Sequence, residues 1–235
     1  MRTRFHQSLD LLKEKLLVMA GFAEQSIQRS IEAYRTRDTS LVELVRRSEP
    51  AINLLEREID AAALDLLAMQ QPMAVDLRFI LSVIRINADL ERVGDLAVNI
   101  AIRAREMTQM GEADLPVDIP KLGTLAAAMV RKAIEAFIDG DALLAERVLT
   151  LDTEVDEINR AAFRALSQRI KQKPADTPQA LNAIMIARNL ERVGDHATNI
   201  AEDVIFWVSG SDVRHSSAGV SMTVPEPLEE RPPIH

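Results

Sequence analysis

The chain of 235 residues contains no cysteine, and only 3% of its residues are aromatic. Without cysteine it can form neither disulfides nor thiolate zinc sites, and it can have no cysteine nucleophile. Any metal must therefore be held by oxygen ligands or by imidazole. The lack of cysteine also fits a reducing compartment, and the scarcity of aromatic residues and of glycine (8 residues) favours helices over strands.

No long uncharged apolar run is present, because even the apolar N-terminal stretch is interrupted by Lys13, Glu14 and Lys15. We therefore expect neither a signal peptide nor a membrane span, and membrane contact only through partners. The formal net charge of -8 argues against nucleic-acid binding. Together these features predict a cytoplasmic protein.

Apolar residues recur every three or four positions along most of the chain, which predicts an all-α fold with six long helices. A turn is expected at Asp38, a kink at Pro50 and a linker at 111–120, where Gly and Pro accumulate. The predicted helical segments are 9–34, 41–69, 75–110, 121–139, 141–172 and 178–208.

The two halves of the chain are a repeat. LERVGDLAVNIA at 90–101 returns as LERVGDHATNIA at 190–201, with ten identities in twelve positions and an offset of 100. Upstream of this motif, corresponding residues of the two repeats are 103 positions apart, as Asp38 and Asp141 are. The pattern predicts two tandem three-helix bundles, at 1–112 and 118–208, and a disordered tail at 209–235 that is rich in Ser, Pro and charge.

Each repeat carries an acidic motif, ExxxD, on its third helix. Glu91 and Asp95 are four residues apart, as are Glu191 and Asp195, so each pair shares one helix face. An asparagine follows at the next such step in both repeats, namely Asn99 and Asn199. Carboxylate and amide oxygens are ligands for Mg, Ca, Mn or Fe, so each strip is a candidate metal site.

The second helix of each repeat offers further oxygen ligands. At the offset of 103, Glu49 corresponds to Asp152, and Asn53 corresponds to Asp156. If these helices face the ExxxD strips, each bundle presents a cluster drawn from two helices. Because Asn53 carries no charge, we expect the two halves to differ in metal number or affinity.

Other interpretations of the residues in and beside the motifs stay open. The acids could lie on a solvated face and pair with nearby arginines, which are Arg92, Arg188 and Arg192. His196 has no counterpart in the first repeat and is more often a surface or core residue than a ligand. Gly94 and Gly194, inside the motifs, are best explained by close helix packing.

The repeated LERVGDxAxNIA motif, QPMAVDLR at 71–78 and the opening FHQSLDLLKEKLLVMAGFAEQSI together resemble the PhoU family over residues 5 to 208. The resemblance implies two similar three-helix bundles and homodimerisation. It also implies ExxxD metal sites, falling on Glu91, Asp95, Glu191 and Asp195, for iron clusters or for Mn, Mg, Zn or Ca, with no organic cofactor. It further implies negative control of the phosphate regulon and modulation of phosphate transport, through binding of the phosphate-transporter ATPase and the sensor histidine kinase.

The sequence departs from the family pattern at 174–181, where the second repeat has PADTPQAL instead of a clear QPxAxDLR. A contact made by that loop in the first repeat is therefore in doubt in the second. No nucleophile, phosphate-loop or zinc-protease motif is present, so we do not expect an enzyme. The alternatives are a metal-free helical adaptor and a carboxylate-bridged di-metal oxidase, whose Glu-x-x-His pairs are missing.

Overall fold

The computed structural model describes residues 2–70, 72–211 and 213. It contains six long α-helices, and no strand occurs within these residues. The all-α prediction is therefore confirmed, whereas the predicted disordered tail lies almost entirely outside the described residues. The helices are α1 (Arg2–Thr36), α2 (Thr39–Gln70), α3 (Ala74–Gln109), α4 (Ile119–Asp139), α5 (Ala142–Gln172) and α6 (Thr177–Ser209).

Aspartates begin three of these helices. The carboxylate of Asp38 accepts a hydrogen bond from the backbone N–H of Ser40 at 2.8 Å. Asp118 and Asp141 cap α4 and α5 in the same way, by accepting from backbone N–H groups three residues later. Gly140 ends α4 in the left-handed conformation, with φ of 62°.

Helix α2 remains helical on both sides of Pro50, and the kink expected there stays a prediction. One local feature differs from the sequence pattern. A short 3-10 helix, Pro174–Asp176, precedes α6 where the pattern indicated only a break. Burial would raise the pKa of the Asp176 carboxyl, but hydrogen bonds and charge from Arg169 and Lys173 hold that pKa below its usual value.

The helices form two three-helix groups that share one hydrophobic core. In each group every helix packs against the other two, and the groups join where α3 packs on α6 and α1 on α4. Helices α3 and α6 are antiparallel, because Arg78 bonds to Trp207 at one end and Met110 accepts from Gln179 at the other. Helices α2 and α5 each pack only against elements of their own repeat, including its motif-bearing helix.

Candidate functional site

The second repeat brings four carboxylates together between α5 and α6. Burial raises the pKa of Glu191, and the negative charges of Asp195, Asp156 and Asp152 raise it further, while Arg188 opposes them. Burial also raises the pKa of Asp195. The sequence prediction that α5 faces the α6 motif is thus met in this repeat, and these four residues are termed the second acidic cluster.

Two buried oxygens of this cluster have no hydrogen-bond partner among the described residues, namely Asp152 Oδ1 and Glu191 Oε2. Burial raises the pKa of Asp152, and the charges of Asp195 and Asp156 add to the effect. A buried acceptor without a partner is costly, so the site is short of a donor or a cation. Its chemistry therefore fits a bound cation.

Arginines neutralise part of this negative charge. Arg188 forms an ion pair with Glu191, and Arg160 forms one with Asp156. Both arginines are exposed and approach the cluster from its edge. The open interpretation in which arginines pair with the motif acids therefore holds for Arg188 with Glu191, and the pair of Arg160 with Asp156 is a further one.

The first repeat holds a smaller cluster, in which Glu56 of α2 lies near Glu91 and Asp95 of α3. Burial raises the pKa of Glu91, and the negative charge of Asp95 raises it further. The positive charge of Arg92 lowers this pKa, and the negative charge of Glu56 raises it. The side-chain oxygen of Asn53 is buried nearby on α2 and lacks a partner among the described residues. We call Asn53, Glu56, Glu91 and Asp95 the first acidic cluster.

Glu56 is missed by the repeat alignment, because its counterpart at the offset of 103 is Asn159. The signal that could have found it is local. Glu49, Asn53 and Glu56 follow one another at steps of four and three, which is one helix face. Glu49, which the alignment does select, forms no hydrogen bond or ion pair with another described residue.

The two asparagines of the motifs differ in their surroundings. Asn99 is exposed, and its role in the strip stays a prediction. The amide of Asn199 donates to Asp89 Oδ1 at 3.1 Å, and His196 Nδ1 lies 2.8 Å from the same oxygen. Asn199 and His196 therefore contact α3 and join the two repeats, and a metal-ligand role for the side-chain oxygen of Asn199 stays a prediction.

The glycines of the motifs allow the helices to approach each other. A Cβ at Gly94 would lie 2.9 Å from Ile52 Cδ1, and one at Gly194 would lie 3.3 Å from Val155 Cγ1 and 3.7 Å from Asp152 Oδ1. The packing explanation for these glycines is therefore supported. Close approach also brings the α5 carboxylate next to the α6 motif.

Within the described part of the chain, no three His, Asp or Glu side chains converge tightly enough to hold a metal ion. A cation would have to draw the carboxylates of either cluster closer together. Metal binding at Glu91, Asp95, Glu191 and Asp195 accordingly stays a prediction.

None of the described helices is long and apolar enough to cross a membrane.

Comparisons with known proteins agree with this architecture. The PhoU domain model matches twice, at residues 16–104 and 119–204. The phosphate-specific transport system accessory protein PhoU homolog of Pseudomonas aeruginosa is 38% identical over 90% of this chain and 88% of its own length. The corresponding homolog of Caulobacter vibrioides is 34% identical over 89% and 91%.

Two crystal structures have the same fold. PhoU from Pseudomonas aeruginosa superposes with a TM-score of 0.84 at 37% identity, covering 88% of this chain and all of that one. The phosphate transport system regulatory protein PhoU from Streptococcus pneumoniae superposes with a TM-score of 0.80, covering 89% and 99%, and at 24% identity it supports the fold alone. With both repeats matched and relatives aligned along most of its length, this chain belongs to the PhoU family.

Proposed function

We propose that this protein is an accessory regulator of a phosphate transport system, which represses phosphate-starvation genes when phosphate is plentiful and modulates transport. The observation that carries the proposal is the match of both repeats to the PhoU domain, together with full-length relatives named as transport accessory proteins. Regulation then depends on binding partners with an affinity that differs between states.

The proposed partners are the phosphate-transporter ATPase and the sensor histidine kinase, which the protein would meet in the cytoplasm, as a homodimer. Six long helices offer extended surfaces for such contacts. The exposed apolar side chains support this, since Phe163, Met69 and Met73 are each more than half exposed. Such side chains are common at protein interfaces.

We further propose that the acidic clusters hold metal ions, such as iron, Mn, Mg, Zn or Ca. Glu191, Asp195, Asp152 and Asp156 would hold the ion in the second repeat. In the first repeat Glu91, Asp95 and Glu56 would hold it, with the amide oxygen of Asn53. The metal would supply positive charge that neutralises the half-buried carboxylates. Because the second cluster has four carboxylates and the first has three, we expect tighter binding in the second.

One observation favours a second candidate, a metal-free helical adaptor. Arg188 and Arg160 already pair with two carboxylates of the second cluster, and the described acidic side chains do not converge. In this candidate the clusters are polar packing features that position α5 against α6. Metal analysis separates the two candidates, as described at the end of the Discussion.

Deletion of the gene tests the regulatory proposal. We expect a mutant grown in excess phosphate to express a phosphate-starvation reporter, such as alkaline phosphatase, that the parent strain represses. The purified protein should also bind the transporter ATPase or the kinase in a pull-down. Normal repression in the mutant, with neither partner bound, would refute the regulatory proposal and leave the adaptor.

A further inference from the structure

A groove of about 420 Å³ runs between α5 and α6 beside the second acidic cluster. Its apolar wall includes Phe163, whose exposed fraction is 57%, and Met185, whose exposed fraction is 45%. Burial of this exposed phenylalanine against a partner would be favourable, because it removes apolar surface from water. The groove thus has an apolar anchor point.

Three arginines line the same groove. Arg160 and Arg164 are four residues apart on α5, and Arg188 comes from α6. Arg160 and Arg188 are held at the edge of the groove by Asp156 and Glu191. Arg164 makes no hydrogen bond or ion pair with any described residue, so its charge is available. The charges of Arg160 and Arg188 are compensated by Asp156 and Glu191, so Arg164 is the cation that the groove offers to a partner.

The first repeat shows that the bundle does not need these residues. At the same offset of 103, Phe163 and Arg164 correspond to Asp60 and Ala61 on α2. At the offset of 100, Arg188 corresponds to Ala88 on α3. Asp60 is engaged locally, because it accepts a hydrogen bond from Asn87 at 2.9 Å. Three features of the groove are therefore specific to the second repeat, although the helix packing is shared.

We infer that this groove docks an acidic segment of a partner protein that also carries an apolar side chain. Aromatic residues, methionine and arginine are enriched in protein interfaces, and Arg164 would pair with a carboxylate while Phe163 and Met185 bury the apolar residue. A small anion alone would leave the apolar wall exposed. The inference deepens the proposed function, on which it rests for the existence of a partner.

A labelled synthetic peptide tests the groove independently of the partner's identity. The probe is a soluble peptide rich in Glu with Leu anchors, and its binding to the full chain is measured by fluorescence anisotropy at physiological salt. We expect Phe163→Ala with Arg164→Ala to weaken binding by about tenfold, the effect of removing an interface anchor. A control peptide has Gln in place of Glu. The parent chain should bind this control peptide no more tightly than the double variant binds the acidic peptide.

The matched control is Leu143→Ala with Arg147→Ala, which removes an exposed apolar residue and an exposed arginine elsewhere on α5. This variant should bind the acidic peptide like the parent chain. Absence of peptide binding by the parent, or equal loss in both double variants, would overturn the groove assignment. So would displacement of the peptide by millimolar phosphate but not by chloride of equal ionic strength, which would indicate a small-anion site.

A change of oligomeric state in the Phe163/Arg164 variant alone would also overturn the inference, because it would assign the groove to contact with a second copy. Failure of the groove assignment can be distinguished from failure of the proposed function. If the parent binds the acidic peptide but neither proposed partner, the regulatory proposal fails. If the parent binds a proposed partner but not the peptide, the groove assignment fails.

Discussion

Asp152 is the residue at which the acidic site is most clearly uncompensated. Burial raises the pKa of its carboxyl, Asp195 and Asp156 raise it further, and one of its oxygens is buried without a partner among the described residues. The folded state therefore holds a proton on Asp152 more tightly than the unfolded state. That stabilisation is complete below the ordinary pKa of 3.8 and is lost as pH rises through the raised pKa.

At neutral pH the metal-free protein should therefore gain stability when this charge is removed. We predict that Asp152→Asn raises the melting temperature of chelator-treated protein at pH 7, and that the gain disappears near pH 4. Because solvent reaches this half-buried cluster and screens its charges, the gain should be about 1 kcal/mol or less, or roughly 2–4 °C for a chain of this size.

Asp176→Asn is the matched control, since its carboxylate is buried with cationic partners, Arg169 and Lys173. Its lowered pKa means that its stabilisation is present above the ordinary pKa and lost as pH falls through the lowered one. This control should lower the melting temperature at pH 7. A destabilising Asp152→Asn would show that this carboxylate is already satisfied.

The chemistry of single residues could be predicted where it repeats in the sequence. Glu191 and Asp195 were found because Glu91 and Asp95 mirror them, and Asp152 and Asp156 followed from the offset on the preceding helix. Glu56 could not be found in that way, because its counterpart is not acidic. Asn199 could not be placed either, since helix periodicity does not say which neighbouring helix covers that edge, and α3 supplies Asp89 there.

At the scale of the elements, small residues set how closely the helices approach. Gly123 of α4 lies against Ile31 of α1, at the contact that joins the two repeats. A Cβ at Gly123 would lie 2.5 Å from Ile31 Cδ1 and 2.6 Å from Cγ1. Gly21, by contrast, lies exposed in the middle of α1, with nothing within 4 Å of its Cβ position.

The two glycines should therefore respond to alanine in opposite directions. Gly123→Ala forces α1 and α4 apart and should destabilise the protein by about 1–3 kcal/mol, as overpacked cores do. Gly21→Ala removes only the entropic cost of glycine in a helix and should stabilise by about 0.5–1 kcal/mol. Thermal unfolding of both variants is the measurement, and a neutral Gly123→Ala would mean that the α1–α4 contact is loose.

The start of α1 at Arg2 could not be predicted, because the apolar pattern begins only at Leu9. The other element bounds could be predicted closely, because aspartates and glycines mark the ends of amphipathic patterns. Asp38, Asp141 and Gly140 do so here. The 3-10 helix at Pro174–Asp176 was missed, because its stability comes from Arg169, a residue of the preceding helix, which no local pattern reveals. The groove at Phe163 was missed for a similar reason, since its walls come from two helices.

At the scale of the whole molecule, the repeat produces two similar bundles with different surfaces. The halves share one core through α1, α3, α4 and α6. This arrangement leaves α2 and α5 outside, each covering one acidic cluster. Differences between corresponding residues of the two repeats then alter the surface charge without altering the helix packing. Asn53 corresponds to Asp156, and Asp60 corresponds to Phe163.

The most direct test of the account is the metal content of the two clusters. The parent protein, purified without chelator and reloaded with Mn²⁺, is compared with Glu191→Gln/Asp195→Asn and with Glu91→Gln/Asp95→Asn. The control is Glu135→Gln/Asp139→Asn, which alters an ExxxD pair on the exposed face of α4. Elemental analysis by mass spectrometry and circular dichroism follow metal and helicity. We predict that each cluster variant loses metal with helicity intact, while the control keeps both. Unchanged metal content in both cluster variants would contradict the account.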